Sequence, residues 1–289
     1  MDPRTRTLFE VNIDDILQAF GWQGVPALRW LVRRIAQRPA LRFAREMTMF
    51  DKAVEACGIT AAARSHLALY VRGMRVHGME RIPREGPVLL LSNHPGMTDT
   101  LALFSSIPRA DLLAIAADRP FLRALPFASR SLVFIPDERE KRFTAMRRAV
   151  THLRAGGALL TFPAGEIEPD PAALAGAVPA LERWSMSTIA FLKIVPGAVV
   201  VPLVVSGVLA RQAQRNPLTV LRRRRIDRER LAAMLQVLVH TLFPSAWRAR
   251  VRVDVARAFA GPELLALGNG ARGAITGAVA GLLRLRERA

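Results

Sequence analysis

One cysteine, one tyrosine and few aromatic residues set the first limits on this chain of 289 residues. With Cys57 alone, no intrachain disulfide and no cysteine metal cluster can form. Nothing then requires an oxidising compartment. Aromatics make up 6% of the residues, and neither a stacking motif nor a nucleic-acid fold signature accompanies them. That argues against a nucleic-acid-binding protein, the reading a basic chain otherwise invites. Long apolar runs are missing too: no stretch of 18 or more residues reads as a transmembrane helix. The nearest, IVPGAVVVPLVVSGVLA (Ile194 to Ala210), holds two prolines, two glycines and many valines, so it reads as a buried strand with its flanks. The start, MDPRTRTLFEVNIDD, has carboxylates where a signal peptide needs an apolar run.

Acidic residues are outnumbered, 24 against 42 basic ones, and the formal net charge is +18. The basic residues are nearly all arginine. Such an excess attracts polyanions, here an anionic membrane surface before nucleic acid. Hydrophobic residues, at 51%, suffice for a large core.

Residues 1 to about 75 read as helical, with Pro39 breaking the segment. Trp22, Leu28, Trp30, Leu31 and Ile35 alternate there with Arg29, Arg33, Arg34 and Arg38. Two readings stay open: an interfacial amphipathic helix that docks on a membrane, or a helix packed on its own domain with arginines in water. We take 1–75 as an N-terminal amphipathic helical segment and 76–289 as the catalytic domain.

Beyond residue 75 short apolar runs alternate with helical segments. Strands are expected over 87–93, 112–117, 131–136, 157–163, 197–207 and 250–259. Helices are expected over 97–106 and 137–156, the second acidic at its start, basic later and ended by glycine. The pattern indicates an α/β sheet layered with helices. One dense charge run, Arg222 to Arg225, heads a helix through Leu231, Leu235, Leu238 and Leu242.

The chemistry concentrates in LLLSNHPGMTDT, Leu89 to Thr100. Five residues of regular helix turn through about 500°, so His94 and Asp99 cannot meet on one. Pro95 disfavours helix at His94, and Gly96 permits a sharp turn. The histidine can then end the strand while Asp99 lies in the first helical turn. A carboxylate that orients an imidazole is what a general base needs. No serine or cysteine nucleophile is placed beside it, so the activated hydroxyl belongs to a substrate. His66, His77, His152 and His240 lack ligand spacing and read as structural or surface residues.

Asn93, His94 and Asp99 on a strand exit resemble the Asn-His-x-x-x-x-Asp block of the glycerophospholipid acyltransferases, the lysophosphatidic acid acyltransferase type. Three further blocks follow in order: SLVFIPDER (Ser131 to Arg139), TFPAGEIEP (Thr161 to Pro169) and VVPLVVSG (Val200 to Gly207). The resemblance spans about residues 75 to 210. It implies a mixed sheet layered with helices, preceded by an N-terminal helical segment. It further implies transfer of an acyl group from acyl-CoA or acyl-carrier protein to a lyso-lipid or related alcohol, in phospholipid biosynthesis. His94 would be the base and Asp99 its orienter. Arg139, Phe162, Pro163, Gly165, Glu166 and Glu168 would contact substrate, with no metal or bound cofactor. The implied location is the cytoplasmic face of the cell membrane, peripheral or monotopic.

The departures from the family pattern concern phosphate. Asp137 and Ile167 stand where the family has arginines, and Ala164 where it has glutamate. Carboxylates oppose an anion, so Glu166 and Glu168 point to a zwitterionic, amino-lipid or neutral alcohol acceptor. A catalytically silent lipid-binding module on the same fold is the alternative.

Overall fold

The computed structural model describes the backbone of residues 1–22, 24–136, 138–172, 176–220, 225–243 and 246–287. Side chains are described over the same ranges except at 19–20, 97, 139, 220, 225–226, 230 and 285–287. The charge run Arg222 to Arg225 lies outside the described side chains.

Eight strands among these residues make one sheet. They are β1 Val71–His77, β2 Val88–Ser92, β3 Leu113–Ala117, β4 Leu132–Ile135, β5 Ala158–Thr161, β6 Val199–Ser206, β7 Ala249–Val255 and β8 Phe259–Ala260. Their order is β1-β7-β6-β2-β5-β3-β4, with β8 on β6. Strands β2 to β6 run parallel to one another, and β7 crosses antiparallel to β6. The sheet is therefore mixed, as expected. Seven longer helices surround it: α1 Pro3–Phe20, α2 Pro26–Tyr70, α3 Met97–Ser106, α4 Arg139–Arg154, α5 Ser187–Ile194, α6 Arg225–Leu242 and α7 Ala271–Glu287.

Strand β2 lies at the centre, and its five residues are all buried. A strand covered on both faces reads as a continuous apolar run, as VLLLS does. Its side chains divide by parity. Leu90 joins a core built with α1, α2 and α3. Leu89 and Leu91 join a second core with α4, α5 and α7. Segments 1–75 and 76–289 thus share apolar packing, since Leu8, Ile13, Met47 and Leu67 belong to the cluster that holds Leu90.

Pro202 sits inside β6, where a missing N–H should cost a ladder bond. Its carbonyl accepts from Ala256 N–H at 2.9 Å, so its donorless nitrogen faces the same edge. That edge is where the chain passes from β7 to β8: β8 pairs with Val199 and Val200, and β7 with Leu203 to Ser206. The proline therefore removes no bond to β2.

Two N-terminal expectations are corrected. Helix α2 continues through Pro39 and is interrupted instead at Gly58, with φ 80° and ψ 164°. Pro39 and Ala40 are buried, and Asn12 of α1 donates to Ala40 O at 3.2 Å. Tertiary packing there overrides the local preference for a break. Residues 71–75, expected as helix, open β1. Among the described residues that strand pairs with β7 alone, and most of its residues are wet, so VRGMRVH shows no apolar alternation.

Helices α2 and α6 meet around a buried aromatic group. The His66 ring lies 5.0 Å from Phe50 and 5.3 Å from Tyr70, and Tyr70 lies 4.2 Å from His240. His66 Nε2 is buried and has no hydrogen-bond partner among the described residues. Burial, then the charge of His240, pulls the His66 pKa down to about 4. The unfolded chain takes up that proton below the usual 6.5, and the folded chain only near 4. Stability should therefore fall by about 3 kcal/mol as pH drops through this window. Urea unfolding between pH 7 and pH 4 measures this, and His66→Phe should remove that part of the loss.

Candidate active site

Because β2 to β6 are parallel, their C-terminal ends share one edge of the sheet. His94 leaves β2 there and Phe162 leaves β5. Asn93 fixes the exit: its side chain donates to Val205 O at 2.8 Å and accepts from Val205 N–H at 2.7 Å. An amide side chain thereby extends the β2–β6 ladder past its last backbone pair, Ser92 with Leu203.

The His94 ring then meets Asp99, with Nδ1 2.9 Å from Oδ2. Asp99 is fully buried, and the His94 side chain is 29% exposed. Asp99 occupies the third position of α3, after the N-cap Gly96. A carboxylate there reaches back to the N-cap N–H, and Gly96 N–H donates to the same Oδ2 at 2.9 Å. Thr100 Oγ1 donates to Oδ1 at 2.9 Å. Helix capping and imidazole orientation thus use one carboxylate. The glycine acts differently from expectation: Gly96 is extended, φ 162°, a conformation open to any residue. Its contribution is the N–H.

The Phe162 ring packs on the imidazole with centroids 4.5 Å apart. Among the described residues no hydrogen bond reaches His94 Nε2. Burial disfavours the charged imidazole, but the charge and hydrogen bond of Asp99, joined by the charge of Glu168, outweigh it. The His94 pKa stands above the usual 6.5.

The third block folds around this pair. Gly165 N–H closes a turn onto Phe162 O at 2.9 Å. Gly165 has φ 67°, a region that favours glycine. Pro163 is buried, and its carbonyl accepts from Ser185 N–H at 2.9 Å. Glu166 pairs with Arg183 at 2.7 Å. Glu168 is 2% exposed and turns inward. Its Oε2 accepts from His94 N–H at 3.1 Å and its Oε1 from Trp184 Nε1 at 2.9 Å. The carboxylates expected to oppose an anionic acceptor are therefore both engaged inside the protein, one by an arginine. In the second block, Asp137 and the Arg139 side chain lie outside what the structure describes.

Sequence reading missed Asp170, Arg183, Trp184 and Gln236. Asp170 is fully buried and accepts from Ala172, Gly207 and Leu209 N–H at 2.9, 2.7 and 2.9 Å. Burial raises its pKa, and those N–H donors oppose the rise. Gln236 of α6 brackets the same loop, accepting from Ala210 N–H at 2.6 Å and donating to Val208 O at 2.8 Å. A signal for Asp170 existed: an aspartate between two prolines is a turn former that bonds its own backbone two residues on. Arg183, Trp184 and Gln236 carry no local signal.

Residues 73–206 match the family model described as Acyltransferase. No curated protein matches the sequence. Among solved structures, the crystal structure of the 1-acyl-sn-glycerophosphate (LPA) acyltransferase PlsC from Thermotoga maritima is similar. It is 15% identical, with a TM-score of 0.48, over 97% of this chain and 93% of that one. The family match covers the turn that carries His94, the first turn of α3 with Asp99, the turn at Phe162 and strand β6, and so the likeness to the Acyltransferase family falls on the part of the chain that builds this site.

Proposed function

We propose that the protein transfers a fatty acyl group from an acyl thioester, on CoA or a carrier protein, to a hydroxyl of a lyso-lipid or related acceptor. The observation that supports this reading most is the 2.9 Å contact between His94 Nδ1 and Asp99 Oδ2. With Asp99 as acceptor, Nδ1 carries the proton and Nε2 holds a free lone pair. Nε2 takes the proton of the acceptor hydroxyl as its oxygen attacks the thioester carbonyl. A tetrahedral oxyanion forms and collapses, the C–S bond breaks, and the imidazolium returns the proton to the leaving thiolate. Asp99 stabilises the imidazolium between these steps.

The test is incubation of the purified protein with labelled acyl-CoA and acyl-carrier protein. Lysophosphatidic acid, zwitterionic lyso-lipids, amino-lipids and neutral alcohols are offered in turn. An acylated product supports the reading, and no product with any acceptor would sink it.

Docking on an anionic membrane surface belongs to the same proposal. No helix among the described residues is long and apolar enough to cross a membrane. Trp30 and Ile35 in α2 are 65% and 73% exposed, and Leu31 lies between them, also exposed. Arg34 and Arg38 beside them face solvent, whereas Arg29 and Arg33 pair with Asp14 and Glu10 of α1. Deleting 1–75 would uncover the shared core, so point changes are the better probe. Trp30→Ser with Ile35→Ser should weaken binding to anionic vesicles by at least about tenfold, since each buried apolar side chain contributes roughly 1.5–3 kcal/mol. Flotation at wild-type level would overturn the docking claim.

A further inference from the structure

Glu168 belongs to no reacting pair, yet its contacts converge on the histidine. Its own N–H donates to His94 O at 2.8 Å while its Oε2 accepts from His94 N–H at 3.1 Å. Both polar groups of the His94 main chain are thus bonded to one residue from the β5 exit. A side-chain oxygen replaces the carbonyl that a neighbouring strand would supply. The second carboxylate oxygen accepts from the Trp184 indole. Trp184 is 3% exposed, and its own segment is tied to Pro163 O through Ser185 N–H.

We propose that Glu168 is a positioning residue for His94, its carboxylate gripping the histidine main chain and being gripped in turn by the Trp184 indole. This rests on the reading of His94 as the base. Both oxygens face donors, so the ionised carboxylate is the form that makes both bonds. A proton added to either oxygen would make that oxygen a weaker acceptor and remove the charge that strengthens both bonds. Glutamine would conflict outright, because its NH₂ cannot accept and would face one of the two donors. Leaving a carboxylate buried is costly unless its oxygens are bonded.

The charged groups around it are few. His94 faces it from the β2 exit, with Asp99 behind the ring. Arg183 lies on the Trp184 side and is itself paired with Glu166. Burial raises the Glu168 pKa to about 7. The Trp184 and His94 N–H bonds, then the charges of His94 and Arg183, hold it from rising further. The coupling is reciprocal, since the Glu168 charge helps keep His94 high. Full activity then requires two protons to leave: one from Glu168, which restores the grip, and one from His94 Nε2.

The experiment compares wild type, Glu168→Gln and Trp184→Phe in two readouts. The first is the pH profile of kcat/KM for acyl transfer. The second is an NMR titration of the His94 imidazole, which needs no substrate. In wild type the acid limb of the log profile should reach a slope of about two. Glu168→Gln should reduce that slope to about one and lower the His94 pKa. It should also cut kcat by about tenfold to a hundredfold through misplacement of the base, with KM little changed. Trp184→Phe removes a donor that favours the carboxylate, so it should move the acid limb the other way, to higher pH. A merely structural residue predicts no opposed shifts. Unmoved limbs, with an unmoved His94 titration in both variants, would overturn the proposal. Should His94→Ala retain activity, the base reading falls instead, and the imidazole titration still decides whether Glu168 and His94 are coupled.

Discussion

Alanine in place of His94 should lower kcat for acyl transfer by about 10²- to 10⁴-fold, the usual contribution of a positioned acid–base group. The fold should survive. His94 gives Asp99 one hydrogen bond, but Gly96 N–H and Thr100 Oγ1 still satisfy the buried carboxylate. The lost bond costs about 1 kcal/mol, so the unfolding midpoint should move little while activity collapses. Asp99→Asn should also fall by at least about 10². An asparagine that turns its NH₂ to the imidazole would favour the wrong tautomer, with the proton on Nε2. Circular dichroism melts and single-acceptor kinetics measure both. Full activity of His94→Ala would end the base assignment. Loss of lipid acylation in every variant and in wild type alike would favour the silent lipid-binding module.

A loss of about 3 kcal/mol in folding stability is expected for Asp170→Ala. Three backbone N–H groups, of Ala172, Gly207 and Leu209, would lose their acceptor, and Leu209 N–H is buried. Each hydrogen bond to a charged group contributes about 1.5–3 kcal/mol. Removing Asp170 also relieves its own burial cost, which is why its pKa is raised, so the net falls below the sum. Activity should fall as well. Asp170 ties the loop after β5 to the loop after β6, and Leu209 of that second loop lies 3.6 Å from where a Cβ on Gly96 would stand. Gly96 carries the N–H that helps hold Asp99. Asp170→Asn keeps an acceptor for part of the set and should lose less. Urea unfolding with parallel kinetics checks this, and an unchanged midpoint for Asp170→Ala would contradict it.

How much of this was legible in the chain varies by residue. The central strand was plain, because Val88 to Leu91 are apolar at every position, as a strand covered on both faces requires. The exit of His94 was plain too, since proline excludes helix at the residue before it. Strand β1 was not, because an edge strand with one partner needs no apolar face. Pro39 misled, since a buried helix can carry a proline when packing on α1 outweighs the lost bond. The third block placed two carboxylates near the base without showing where either points. Glu166 and Glu168 stand two apart in sequence, yet one meets a half-exposed arginine and the other is sealed behind the histidine.

By itself, then, the sequence determined the order of strands β2 to β7 and the juxtaposition of His94 with Asp99. Those depend on short-range sterics and on apolar periodicity, which neighbouring residues carry. Only the tertiary structure decided where each carboxylate points and what it binds. Trp184 reaches Glu168 from 16 positions away and Gly207 reaches Asp170 from 37. A buried carboxylate takes its orientation from its donors, and these arrive from the far part of the β5–β6 connection, as Trp184 does, or from the loop after β6, as Gly207 does.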